Sequence, residues 1–343
     1  MKTIYTDRHL GHSNHVELSN GRVVPAFEKP ERAEMIRAEV ERRGFGPVIG
    51  PTEHGIAPVK RIHDAGFVDF LEGLWPAWVA DGRGAYPALP SFWHAPGMGW
   101  RIPENIDGRL GHYSFDAGCC IVAGSWDAIR SSADVALTGV DLVAGGAPSA
   151  FALCRPPGHH AHAATMGGYC YINNASVAAQ SFLDRGATRV AILDVDYHHG
   201  NGTQSIFEAR ADVLVCNIHA HPAQEYPYFL GYADEIGIGK GEGFNANYPL
   251  RWGADYAIWS EALEASCARV EAFGPDVVVV SLGVDTYKDD PISRFKLDSP
   301  DYLAMGARIA RLKRPTLFVM EGGYAVEAIG VNVANTLQGF LGA

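Results

Sequence analysis

The chain has 343 residues, of which 47% are hydrophobic and 20% are charged, a composition typical of a soluble globular protein with a large core. Its formal net charge of −11 argues against a nucleic-acid partner, whose phosphates require a basic surface, and mildly favours cationic ligands. No stretch approaches the roughly 18 consecutive apolar residues of a membrane span, and the N-terminus has no signal-peptide pattern, so we expect a cytoplasmic protein without membrane association.

The N-terminal third contains one clear helix signal and one unusual segment. Pro30 is suited to open a helix and Gly44 to end it. From 84 to 112 the chain has four prolines, five glycines and two tryptophans, which predicts a long insertion loop. Such loops are often functional, and exposed tryptophans would be unfavourable there. We therefore expect this insertion to pack against a partner subunit or over a site, with an ordinary surface insertion as the alternative.

Short apolar runs alternate with helical patterns in the second half of the chain. These runs are rich in β-branched residues and apolar on both faces, as expected for strands covered on both sides of a sheet. The predicted strands are Ala150–Cys154, Val190–Asp194, Val213–Ile218, Val277–Ser281 and Thr316–Met320.

The helices predicted between these strands have recognisable ends. Asn173 or Asn174 can cap a helix that runs to about Arg185. Two further helices are predicted from Asp255 to Phe273 and from Pro300 to about Leu312. Alternating strands and helices indicate parallel pairing through right-handed crossovers. The sequence therefore predicts a three-layer α/β/α fold with a mainly parallel sheet, in one domain over residues 1–343.

Four predicted strands lead into titratable or metal-binding residues, and ligands of such sheets bind at the carboxyl ends of the strands. Asp196 and His198 lie two positions apart, so they project to the same side, and Asp285 follows another strand. Alone, an Asp-x-His pair is more often a hydrogen-bonded loop. One histidine with two carboxylates matches a catalytic zinc site with an open position for water, although Fe²⁺, Mn²⁺ or Co²⁺ would suit the same ligands.

Two adjacent histidines and a tyrosine lie at the other strand ends. His159 and His160 could be a structural pair, but beside a metal one can accept a proton from water and one can donate to a leaving amine. Each histidine needs a partner that fixes its tautomer, and Asp194 and Asn201 are the candidates. Tyr324, after two glycines, is placed to donate a hydrogen bond to a developing oxyanion.

Five motifs carry a family resemblance: RPPGHHA at 155–161, GGYCYINNA at 167–175, DVDYHHGNGTQ at 194–204, SLGVD at 281–285 and EGGY at 321–324. Together they resemble the histone deacetylase and acetylpolyamine amidohydrolase family over about residues 1–340. The resemblance implies an arginase-like parallel sheet and one zinc ion held by Asp196, His198 and Asp285. It also implies catalytic roles for the two histidines and Tyr324, and structural potassium sites, one of them near Asp194.

Within this family the chain is most similar to bacterial acetylpolyamine amidohydrolases. These proteins carry a comparable insertion before a RIP segment, here residues 101–103, which shapes a narrow site at a homodimer interface. The resemblance implies that Tyr169 and Tyr226, with Gly168, contact the aliphatic chain of the substrate. It also implies that Glu17 and Asp107 at the mouth of the site face a distal ammonium.

The expected function is zinc-dependent deacetylation of N-acetylated polyamines or diamines, of the acetylputrescine, acetylcadaverine or acetylspermidine type. A protein acetyl-lysine deacetylase is the first alternative, because its substrate presents the same acetamide on a similar chain. An arginase-like ureohydrolase would need a second set of metal ligands. An inactive ligand-binding or regulatory module would have lost part of the catalytic set. Two features stand apart: Asn201 replaces the aspartate of some family branches, and His162 has no role that the sequence assigns.

Overall fold

Eight parallel strands form the central sheet of the computed structural model, which describes residues 1–95 and 97–343; Pro96, in the predicted insertion, lies outside the described residues. The strands are β1 (Lys2–Ile4), β2 (Val16–Ser19), β3 (Arg22–Pro25), β4 (Val48–Ile49), β5 (Ser149–Ala152), β6 (Val190–Asp194), β7 (Val213–Ala220), β8 (Asn245–Leu250), β9 (Val277–Leu282) and β10 (Thr316–Met320). The order in the sheet is β4-β1-β5-β10-β9-β6-β7-β8, and β2 and β3 form a separate antiparallel hairpin.

Helices cover both faces of this sheet. Side chains alternate across it: Val277 and Val279 of β9 pack into one hydrophobic core, and Val278 and Val280 pack into the other. The predicted three-layer fold is therefore confirmed. The helices are α1 (Glu31–Arg43), α2 (Ala65–Ala80), α3 (Ile106–His112), α4 (Ser125–Ala144), α5 (Asn174–Asp184), α6 (Asn201–Phe207), α7 (Tyr256–Phe273), α8 (Asp301–Ala310) and α9 (Val326–Leu341).

The predicted helix ends agree with the observed capping. The side chain of Asn173 accepts a hydrogen bond from the backbone N–H of Ser176 at the start of α5. Gly44 ends α1 in the left-handed region with φ 67°. None of the helices in the described residues combines the length and the apolar character that a membrane crossing requires.

The segment from 84 to 112 differs in part from the predicted loop. Its last seven residues form the short helix α3, and the side chain of Asn105 caps that helix by accepting from the N–H of Asp107. Several apolar side chains of the segment are exposed to solvent, including Trp100 at 70%, Phe92 at 65% and Met98 at 61%. An apolar group of this kind is typical of a surface that contacts another protein.

Candidate active site

Three buried side chains with metal-binding atoms converge where β6 and β9 end. These strands are neighbours in the sheet, so Asp196 and His198 after β6 lie beside Asp285 after β9. Their ligand atoms all lie within 4.8 Å of one another. His198 Nδ1 is 3.0 Å from Asp285 Oδ2 and 3.5 Å from Asp196 Oδ1. The structure thus brings together the three residues that the sequence predicted as ligands.

The surroundings of these residues fit a divalent cation. Burial and repulsion by the negative charge of Asp196 raise the pKa of Asp285 to about 7. A cation between the two carboxylates would offset this repulsion. The N–H of Gly322 donates to Asp196 Oδ2 at 2.8 Å. A Cβ at Gly322 would lie 2.5 Å from Oδ2 of both aspartates, so glycine is needed for this close approach.

A second group of buried ligand-type side chains, formed by His12, His15 and Glu28, is less suited to a metal. Glu28 Oε1 already accepts from Arg32 at 2.7 Å and from Arg155 at 2.8 Å. The two guanidinium groups would repel a cation, so charge favours the group of Asp196 as the metal centre.

The two adjacent histidines have different hydrogen-bond partners. His159 Nδ1 lies 3.0 Å from Asp194 Oδ2, and His160 Nδ1 lies 2.6 Å from Asn201 Oδ1. Burial lowers the pKa of His159, but Asp196 and Asp194 outweigh it and raise the pKa to about 10. Burial and the neighbouring histidines lower the pKa of His160. The two aspartates therefore favour the charged form of His159, and the surroundings of His160 favour its neutral form; of these two histidines, His160 lines the cavity described next.

A cavity of about 370 Å³ opens beside this centre. Its lining includes His160, His198 and Tyr324, and no lysine or arginine is among the described residues that line it. Tyr169 and Tyr226 form part of its walls, as predicted from the resemblance. Gly168 also lines it, and a Cβ there would lie 2.4 Å from the His160 ring and 2.8 Å from the Tyr226 hydroxyl, so only glycine allows this narrow passage.

Tyr324 is held in place from both sides. Its backbone N–H donates to Asp290 Oδ2 at 2.7 Å, and the guanidinium of Arg32 lies 4.7 Å from the centre of its ring. Gly323 before it has φ 127°, a conformation that favours glycine. Burial raises the pKa of the Tyr324 phenol, so the hydroxyl stays protonated and can donate a hydrogen bond.

The two acidic residues expected at the mouth have different positions. Glu17, on β2, lines the cavity, is only 7% exposed and accepts from the hydroxyl of Tyr169. Asp107 is not among the residues that line the cavity. Asp107 lies at the start of α3, and its carboxylate accepts a hydrogen bond from the guanidinium of Arg83. The resemblance implies a place for Asp107 at the mouth, and within the described chain its carboxylate pairs with Arg83 and does not line the cavity.

The structure adds carboxylates that the sequence did not single out. Asp116 lines the cavity and accepts from the hydroxyl of Tyr226 and the N–H of Gly168. Glu321 accepts from the N–H of His159 at 3.1 Å and thereby fixes the histidine loop. Glu321 lies in the EGGY motif, which could have indicated it, whereas an isolated loop aspartate such as Asp116 gives no signal in a single sequence.

Comparisons with known proteins agree with this geometry. The sequence model of the histone deacetylase domain matches residues 26–340. The chain is 58% identical over 342 residues to acetylpolyamine amidohydrolase 2 of Pseudomonas aeruginosa, covering 100% of this chain and 99% of the relative. It is 50% identical to acetylpolyamine amidohydrolase of Mycoplana ramosa, covering 100% of both. The crystal structure of acetylpolyamine aminohydrolase from Burkholderia pseudomallei superposes with a TM-score of 0.94 at 37% identity, covering 99% of this chain and 98% of that one.

Proposed function

The chain belongs to the histone deacetylase family, and we propose that it is a metal-dependent amidohydrolase that removes the acetyl group from N-acetylated polyamines or diamines. The products are acetate and the free amine. The observation that carries this proposal is a tyrosine-walled cavity that leads to the Asp196, His198 and Asp285 group and whose lining, as far as the chain is described, includes no lysine or arginine. Relatives of 50% and 58% identity that are named acetylpolyamine amidohydrolase support it.

We propose that this group holds one Zn²⁺ ion, with Fe²⁺, Mn²⁺ or Co²⁺ as alternatives that the same ligands accept. When bound, such an ion polarises the acetamide carbonyl and lowers the pKa of water. By the same family resemblance, we propose a structural K⁺ site near Asp194.

We assign the proton transfers to His160. Its Nδ1 faces Asn201 Oδ1 and therefore carries the hydrogen, which leaves Nε2 free to accept a proton from the attacking water. The same nitrogen returns the proton to the amine nitrogen as the C–N bond breaks. The role of His159 stays a proposal: its Nδ1 lies 3.0 Å from Asp194 Oδ2 and its ring packs against His160 without lining the cavity, so we infer that it acts through the charge and position of His160. Tyr324 donates its hydroxyl to the carbonyl oxygen as negative charge develops there.

The cavity supports a small cationic amine as substrate. Tyr169 and Tyr226 provide apolar walls for the methylene groups of a diamine. Glu17 lies in a lining whose described residues include no lysine or arginine, which favours a distal ammonium group on the substrate. An acetyl-lysine peptide presents the same acetamide, but its methylene chain ends in a peptide backbone and has no distal ammonium for Glu17 to attract.

A turnover panel separates these substrates. Acetylputrescine, acetylcadaverine, acetylspermidine and an acetyl-lysine peptide are compared by kcat/KM with the zinc-loaded protein. We expect the small amines to be preferred over the peptide. A preference for the peptide over every small amine would identify a protein deacetylase instead.

We further propose that residues 1–343 form one domain in the cytoplasm and associate as a homodimer through the insertion at 84–112. The exposed side chains of Trp100, Phe92 and Met98 support this surface. Sedimentation of the wild type and of Trp100→Ser tests it: a dimer that the substitution weakens is expected, and a monomeric wild type would contradict it.

A further inference from the structure

We propose that His162 is a positioning residue that fixes the amide orientation of Asn201 and, through it, the tautomer of His160. This inference rests on the proposed role of His160 as the base. His162 belongs to the loop that follows the histidine pair, and its backbone N–H donates to the carbonyl of Thr165 at 2.9 Å. It does not line the cavity, so it acts only through its neighbour.

A chain of two side-chain hydrogen bonds links His162 to the site. Asn201 Oδ1 lies 2.6 Å from His160 Nδ1, and Asn201 Nδ2 lies 2.9 Å from His162 Nε2. An amide nitrogen only donates, so the Nε2 atom of His162 accepts. Asn201 and His160 are each only 4% exposed, so water does not readily reach the hydrogen bond between them, whereas His162 is half-buried.

The orientation matters because the two ends of an asparagine amide have nearly the same shape but opposite hydrogen-bonding character. With the oxygen towards His160, Nδ1 of that histidine carries the hydrogen and Nε2 keeps its lone pair. A rotated amide would turn its NH₂ group to His160 Nδ1, move the hydrogen to Nε2 and remove the base.

His162 opposes this rotation by giving the NH₂ group an acceptor on the far side from His160. Burial lowers the pKa of His162 to about 4, so its ring is neutral near pH 7 and an unprotonated nitrogen is available. An aspartate at 201 would present two equivalent oxygens and would need no such partner. The requirement for His162 therefore follows from the asparagine of this chain.

A double-mutant cycle with Asn201→Asp tests this dependence. In the wild-type background, His162→Phe leaves a buried amide N–H unpaired, and we expect kcat on acetylputrescine to fall about 10- to 100-fold with KM nearly unchanged. In the Asn201→Asp background, the same substitution should change kcat less than twofold. Equal losses in both backgrounds would show that His162 only packs, and would overturn the proposal.

Two further variants serve as controls. His162→Gln supplies an amide oxygen as acceptor and should recover most of the lost kcat, whereas no recovery would contradict the proposal. His221→Phe makes the same replacement at a histidine outside the cavity and should leave kcat unchanged. Thermal unfolding of each variant identifies those that fail to fold.

A spectroscopic measurement does not require activity. Nitrogen-15 NMR of histidine-labelled protein reports which nitrogen of His160 carries the hydrogen. We expect Nδ1–H in the wild type and a mixture with Nε2–H in His162→Phe. An unchanged tautomer in the variant would refute the inference, whereas an Nδ1–H wild type without deacetylase activity would refute only the proposed function.

Discussion

Glu17→Gln removes one negative charge from the cavity wall while preserving most of its structure. The glutamine side chain has nearly the same size, and its oxygen can still accept from the hydroxyl of Tyr169. No lysine or arginine is among the described residues that line the cavity, so none of these side chains pairs with Glu17 before a cationic substrate binds. The substitution therefore isolates the attraction between this carboxylate and a distal ammonium.

The burial of Glu17 sets the size of the effect. Glu17 is only 7% exposed, so its pairing with an ammonium is stronger than that of a surface pair, whose contribution is about 0–1 kcal/mol. A hydrogen bond to a charged group contributes about 1.5–3 kcal/mol. At about 1.4 kcal/mol per factor of ten, kcat/KM for acetylputrescine should fall by about 10- to 150-fold.

The assay compares acetylputrescine with N-butylacetamide, which has a similar length and no ammonium. We expect the large loss only for acetylputrescine. Burial raises the pKa of Glu17, so this carboxylate takes up a proton at a higher pH than an ordinary glutamate does. As pH falls, the preference for the charged substrate should therefore weaken at that higher pH. Equal losses on both substrates would refute the reasoning and show that Glu17 acts through the structure of the wall.

Three other substitutions test separate parts of the account. Tyr324→Phe should lower kcat by about 10²–10³ without loss of metal, and a rise in KM alone would make the tyrosine a binding residue. Asp285→Ala should abolish metal binding measured by elemental analysis, and retained metal would contradict the assigned ligands. Glu28→Gln should lower the free energy of unfolding by about 3–5 kcal/mol at pH 7, because Arg155 loses its buried partner. Despite burial, Arg155 and Arg32 lower the pKa of Glu28 below the ordinary glutamate value of 4.5, so this stabilisation is present above pH 4.5 and is lost as pH falls below it. A urea midpoint that Glu28→Gln does not change at pH 7 would contradict this prediction.

The strands that carry the site could be predicted because the sheet buries both of their faces. Val190–Asp194 and Thr316–Met320 have the predicted bounds, since continuous apolar runs with β-branched residues are typical of central parallel strands. The edge strand β8, with the sequence NANYPL, was not predicted because it is polar and only partly buried. The same holds for β1 and β4, whose three and two residues give too little pattern.

The residues of the candidate site could be predicted where they directly follow the carboxyl end of a predicted strand. Asp196 and Asp285 lie close together because β6 and β9 are parallel neighbours, so that their carboxyl ends lie at the same edge of the sheet. Asp116 and Asp290 reach the site from long loops whose path depends on tertiary packing, so one sequence does not indicate them. Asp107 was assigned to the mouth only by a motif match, and in the described chain it forms an ion pair with Arg83, a contact that one sequence does not indicate.

The most direct test of the account is acetate release from acetylputrescine by chelated protein before and after metal is restored. With the metal removed, the group of Asp196, His198 and Asp285 has no Lewis acid, and we expect no acetate. One equivalent of Zn²⁺ should restore equal amounts of acetate and putrescine. Full activity in the metal-free protein would contradict the central claim.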